Sequence, residues 1–149
     1  MEITRETDYA IRCVLFLALQ PDRVFMVGEI ADKQDVPKAF LAKILQKLVK
    51  GGIVSSIRGV KGGFRLSKKP KDISLLKVIE AVDGPVSLNV CVVDMRSCDR
   101  SAHCSIHNVW VELHDDFTKK LNSINFDKLV KNEKSFLEGK KKKSKRRKA

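Results

Sequence analysis

The sequence is most informative at first for what it is short of. It has four cysteines, and none of them forms a Cys-x-x-Cys unit, the tight pair on which zinc ribbons and ferredoxins are built. The apolar run over residues 11–19 is too short to span a bilayer. Charged residues rather than a signal peptide follow Met1. The expectation is a cytoplasmic chain without a membrane partner, in which a structural disulfide is disfavoured. No nucleophile–base pair, phosphate loop or substrate-sized motif stands out, so an enzyme is not expected. Acidic residues are missing from 140–148, which carries eight lysines and arginines.

That last imbalance colours the whole charge. The formal net charge of +12 predicts an anionic partner, yet residues 1–139 carry only about +4 of it. The run KKKKSKRRK is low in complexity, and residues 131–149 are expected to form a disordered basic tail. It either adds sequence-independent attraction to phosphates or serves only as a solvated end. The remaining length suits one domain, or one small domain with a dimerisation extension.

Three of the cysteines fall within residues 91–107, which read CVVDMRSCDRSAHCSIH. Six residues separate Cys91 from Cys98 and five separate Cys98 from Cys104. A loop of that length closes easily around one inorganic centre, and thiolates suit zinc, Cu(I) and the irons of Fe–S clusters. The wide spacing favours something larger than a zinc knuckle. Three thiolates are one short of a four-ligand set, so the centre would borrow His107 or a residue from elsewhere. Two other readings stay open: unliganded redox thiols that condense to a disulfide on oxidation, and a structural disulfide with a spare cysteine. Cys13 is different. It lies among Tyr9, Ala10, Val14, Leu17 and Ala18 on the apolar stripe of a helix predicted over residues 6–20, capped by Thr4 or Thr7, and reads as core.

The middle of the chain predicts a helix-turn-helix. A short helix over Val27–Gln34 places Ile30 and Ala31 inward, Asp35-Val36-Pro37 makes the turn, and a second helix spans Lys38–Lys50 with proline favoured at its first position. Leu41, Ile44, Leu45 and Leu48 form its buried stripe, while Lys38, Lys43 and Lys47 lie opposite. Gly51-Gly52 stops it. Residues 53–58 then alternate as a strand, Gly59 to Gly63 turn, and residues 64–66 return. A hairpin directly after the second helix makes a winged helix, mainly α with a small β-wing. Arg58, Lys61 and Arg65 cluster at its tip and flanks, where an arginine can enter a minor groove and lysines can meet phosphates. Lysines on any amphipathic helix are often merely solvated; the basic wing is what favours double-stranded DNA as partner.

A further helix is predicted over residues 73–82 and ends at Asp83-Gly84-Pro85. A long one covers 104–123, with Ile106, Trp110, Leu113, Phe117 and Leu121 along one side. Such a face predicts either packing on the chain's own domain or a twofold homodimer matching a palindromic operator. The expected organisation is a winged helix-turn-helix domain over 1–84, a cysteine-containing loop over 85–103, a dimerisation helix and return segment over 104–130, and the tail.

Several segments together resemble the Rrf-type family of bacterial winged-helix transcription regulators (IscR/NsrR-like): TDYAIRCVLFLA at 7–18, VPKAFLAKILQKLVKGGIVSSIRGVKGGFRLS at 36–67, VIEAVDG at 78–84, and the three cysteines. The resemblance covers roughly residues 1–130. It implies a DNA-binding repressor whose operator binding is controlled by an iron–sulfur cluster that senses nitric oxide, redox state or cluster supply. It implies Cys91, Cys98 and Cys104 as ligands. The fourth ligand it implies is either His107, three residues after the last cysteine, with a 2Fe-2S cluster, or Asp8 near the start of the first helix, donated across the dimer to a 4Fe-4S cluster. The chain has both residues. Its first cysteine gap is one residue longer than the five typical of close relatives.

Overall fold

The computed structural model describes residues 2–147, with side chains to residue 140. The first helix, α1 (Arg5–Ala18), begins at Thr4, whose hydroxyl accepts a hydrogen bond from the Thr7 N–H at 3.1 Å. Its apolar stripe of Ala10, Cys13, Val14 and Leu17 is fully buried. Helices α2 (Val27–Gln34) and α3 (Lys38–Lys50) have the bounds that their periodicity predicts. Asp35 ends α2 in the left-handed region, at φ 52°, which aspartate tolerates better than most residues. Pro37 closes the turn as the residue before α3, and its carbonyl accepts from the Leu41 N–H at 2.9 Å. Leu41, Ile44, Leu45 and Leu48 are all buried, which leaves Lys38 and Lys43 facing outward.

The wing is an antiparallel hairpin of β1 (Val54–Ile57) and β2 (Gly63–Leu66), with Val54 opposite Leu66 and Ile57 opposite Gly63. A third segment joins it that alternation does not predict. Phe25 pairs with Phe64, and each N–H donates to the other's carbonyl, at 2.9 and 2.8 Å. The connection between α1 and α2 therefore grips the wing. Gly63 is required by that close approach, because a Cβ there would lie 2.3 Å from the Phe25 carbonyl oxygen. Phe25 is itself buried and packs on Phe16, with ring centroids 4.9 Å apart.

Helix α4 (Leu75–Asp83) is capped by Ser74, and its Val78, Ile79 and Val82 are buried. Gly84, at φ 84°, then turns the chain away. Val86 is buried in a small second cluster with Ile79 and Leu121. The cysteine loop is not irregular throughout: it holds a short helix, α5 (Val90–Val93), and two single 3-10 turns at Met95–Ser97 and Ser101–His103. The long helix α6 (Ser105–Ser123) follows.

The chain's last helix, α7 (Phe126–Arg147), departs from expectation, since residues 131–147 continue as helix where composition predicts a disordered tail. Phe126 and Val130 are buried in the main core and anchor its start. The Phe126 N–H donates to the Ile73 carbonyl at 3.0 Å, and the Leu75 N–H to the Ile124 carbonyl at 2.8 Å. Burial of Phe126 is worth roughly 1.5–3 kcal/mol. Beyond that nucleus, lysine, glutamate, leucine and arginine are good helix formers that propagate it, and Lys131 pairs with Asp127 at 2.8 Å. The end of the basic run, at 148–149, lies outside the described residues.

Candidate metal centre and nucleic-acid interface

Four of the five predicted ligands meet in one place. Cys91 on α5, Cys98 after the first 3-10 turn, Cys104 at the start of α6 and His107 in its first turn all line a single cavity of ≈ 290 Å³. The cause is local. Two short turns fold the loop back so that α6 packs against α5, and the His107 N–H donates to the Cys104 carbonyl at 3.1 Å as α6 begins. His107 is buried, and its Nδ1 lies 3.4 Å from Cys91 Sγ, within hydrogen-bonding reach for sulfur. Cys98 is exposed; Cys91 and Cys104 are half-buried. Ser101 also lines the cavity, and its buried hydroxyl oxygen has no hydrogen-bond partner among the described residues. Among those residues no three His, Cys, Asp or Glu side chains converge closely enough to hold a single metal ion.

Asp8 does not line this cavity. It lies on α1, where its carboxylate pairs with Arg12 at 2.8 Å, both side chains about half exposed. Within one chain, then, the thiols have His107 beside them and not Asp8. Cys13 sits in the main core and is fully buried. Its thiol is pushed up from 9.0 to about 12 because burial penalises the charged thiolate.

The predicted DNA-facing residues separate into two groups. Lys38 and Lys43 on α3, and Arg58, Lys61 and Arg65 on the wing, are exposed, and none forms an ion pair among the described residues. Val60, between Arg58 and Lys61, is fully exposed at the wing tip. Lys47 differs: its ammonium is already engaged inside the fold, by Glu6 at 2.9 Å and by the Val82 carbonyl at 3.2 Å. Lys68 and Lys69, which the sequence reading passes over, are exposed beside Arg65 and line a groove with it. Their adjacency to the end of the wing was the available signal.

The apolar face of α6 is divided along its length. Leu121 is buried and Phe117 packs beside it on the second cluster, so this end follows the bland expectation of packing on the chain's own domain. Ile106, Val109 and Leu113 remain about half exposed.

A helix-turn-helix, a wing with unpaired cations and a mostly helical body define a winged-helix transcription regulator. Residues 3–132 match the Rrf2 family, described as an iron-dependent transcriptional regulator, and the chain belongs to that family. The HTH-type transcriptional regulator IscR of Pectobacterium atrosepticum is 33% identical over 133 residues, 89% of this chain and 80% of that protein. A putative HTH-type transcriptional regulator of Aquifex aeolicus is 36% identical over 107 residues, 70% of this chain and 74% of that one. In fold, the chain is similar to CymR, the global cysteine regulator of B. subtilis (TM-score 0.72, 22% identity, 89% and 98% of the two chains). It is also similar to T. potens IscR (TM-score 0.67, 22% identity, 89% and 88%). No helix among the described residues is long and apolar enough to cross a membrane.

The burial of Cys13 has a measurable consequence. Its folded-state pKa lies above the unfolded one, so its contribution to stability is fully present below pH 9 and is lost as pH rises towards 12. Cys13→Ala is expected to remove that part of the alkaline decline in melting temperature. With nothing bound to the loop thiols, an alkylating reagent at pH 8 should modify Cys91, Cys98 and Cys104 in the folded chain and reach Cys13 only on unfolding. Rapid labelling of Cys13 in the native protein, mapped by mass spectrometry, would contradict its assignment to the core.

Proposed function

We propose that this regulator binds a palindromic operator as a homodimeric repressor and that an iron–sulfur cluster on Cys91, Cys98 and Cys104 controls the binding. The observation that carries the reading is the meeting of three thiols and His107 on one cavity. The donor set fits the group. Thiolates are the usual ligands of Fe–S clusters, and Ser101, whose buried hydroxyl has no partner among the described residues, lines the same cavity. A cluster also spreads its ligands over several irons, so it does not need three donors to converge on one point, as a single ion would. His107 is the fourth ligand this chain can offer locally; Asp8 would have to come from a second copy. When bound, the cluster supplies lability towards nitric oxide, oxidants or iron shortage, which suits a sensor. Bare redox thiols form the second reading, favoured by the exposure of Cys98 and the contact between Cys91 and His107.

Iron and sulfide assays with a visible spectrum, on protein purified without oxygen, separate the two. Wild type is expected to carry both elements, and Cys98→Ala to lose most of its iron, sulfide and visible absorption. A Cys98→Ala protein with the wild-type content would mean that the thiols are not the ligands.

The half-exposed Ile106, Val109 and Leu113 support assembly through α6, because such a row on a helix is normally covered. Leu113→Asp is expected to convert a dimer to a monomer in sedimentation at micromolar concentration. A wild-type monomer, or an unchanged dimer in the variant, rejects this interface.

On DNA, α3 lies in the major groove with Lys38 and Lys43 near bases or phosphates. Arg58 reaches the minor groove, and Lys61 and Arg65 meet phosphates. Arg58→Ala should cost about 1–3 kcal/mol of specific affinity. Lys61→Ala should weaken all duplexes alike and lower the salt slope by about one. Salt titrations with selected and scrambled duplexes measure both effects. Undiminished discrimination in Arg58→Ala would remove the wing from sequence reading.

A further inference from the structure

Lys47 occupies the recognition helix at a position where periodicity alone would place a DNA contact, yet its charge is spent elsewhere. Its Nζ lies 2.9 Å from Glu6 Oε1 and donates to the Val82 carbonyl at 3.2 Å. Glu6 belongs to the first turn of α1 and Val82 to the last turn of α4. One cation therefore joins three helices, and it does so at the negative end of the α4 dipole, where a cation is favoured.

The neighbouring residue completes the joint. The Asp83 carboxylate accepts hydrogen bonds from the Thr4 hydroxyl at 3.0 and 3.1 Å and from the Thr7 hydroxyl, with Thr7 fully buried. The end of α4 is thus held by α3 through Lys47 and by α1 through Thr4 and Thr7. Gly84 turns the chain out of this joint, Val86 anchors it on Ile79 and Leu121, and the segment then runs to Cys91. The cysteine segment consequently leaves the DNA-binding unit at the residues that hold the recognition helix.

We propose that Lys47 is a positioning residue: it touches no DNA, but sets α3 against the end of α4, and through this joint the state of the thiol cavity reaches the recognition helix. The proposal rests on the readings that α3 binds DNA and that the loop thiols hold a cluster; where the wild type carries no iron and sulfide, the affinity ratio is taken between its reduced and oxidised thiols. Lys38 and Lys43, exposed and unpaired on the same helix, are left for phosphates and bases. Glu6 provides a control that separates positioning from contact, because an acidic side chain cannot assist a phosphate.

The test uses the full chain and a duplex selected from random sequence by the wild type. Binding to this duplex and to a scrambled one is titrated against salt, with cluster-loaded and cluster-free protein. Lys47→Met and Glu6→Gln should each lower affinity for the selected duplex roughly three- to thirtyfold. Scrambled-duplex affinity and salt slope should stay at wild-type values, and the ratio between loaded and cluster-free affinities should move towards one. Lys47→Arg should restore all three readouts.

A salt slope that falls by about one in Lys47→Met, with equal loss on both duplexes, makes Lys47 a phosphate contact and overturns the proposal. So does an unchanged affinity ratio. So does a loss that vanishes at a temperature well below the variant's Tm, which would make the role one of stability alone; for a half-exposed pair the Tm shift should be about 4 °C or less. If the wild type selects no duplex, the DNA-binding reading itself fails and the proposal falls with it. In that case the three-helix joint would still show as Glu6–Lys47 coupling in a double-mutant cycle of thermal stability.

Discussion

Everything in this molecule rests on the burial of α1. Ala10, Cys13, Val14 and Leu17 have no contact with water, and α2, α3, α4 and α7 all pack around that helix. Ala10 and Cys13 are small, so neighbouring helices approach closely where they lie. Close packing of this kind makes the interior stiff, and a stiff interior is what lets α3 present Lys38 and Lys43 in a constant orientation.

Apolar burial decides that the helices touch; polar contacts decide how they are set. The backbone exchange between Phe25 and Phe64 gives the wing a third partner, without which a two-stranded hairpin is marginal in water. The Lys47 and Asp83 contacts fix the end of α4 against α1 and α3. Exposed ion pairs contribute little to stability, so the value of these groups lies in direction rather than in energy. In the DNA-binding mode proposed above, which uses one helix and one hairpin, direction is what function requires.

The thiol segment is organised on different terms. It lies outside the main core and is tied down by the small cluster of Ile79, Val86 and Leu121. Its own elements are short, and Val90, Val93 and Met95 are exposed. Few buried apolar contacts mean a low cost of local rearrangement. Its attachment at Gly84 is where a rearrangement can reach the rigid part of the fold.

Local chemistry made much of this legible. Three-six periodicity, bounded by Pro37 and Gly51, determined α2 and α3. Alternation with glycines determined the wing, and the spacing of Cys91, Cys98, Cys104 and His107 determined which side chains one loop can gather. In each case the energy that decides the outcome comes from residues close in the chain. The tertiary structure decided what depends on distant residues. Phe25 joins the wing as a single residue with no pattern around it. Phe126, docking near Ile73, turns a lysine-rich stretch into the continuation of a helix. Leu121 is covered and Leu113 is not, although they lie on the same stripe of α6. Lys43 and Lys47 look alike in sequence, both being cations opposite the buried stripe of α3. Only the packing of α1 and α4 brings Glu6 and the Val82 carbonyl to Lys47 and leaves Lys43 in water, because an ion pair depends on distance in space, which helical periodicity does not encode.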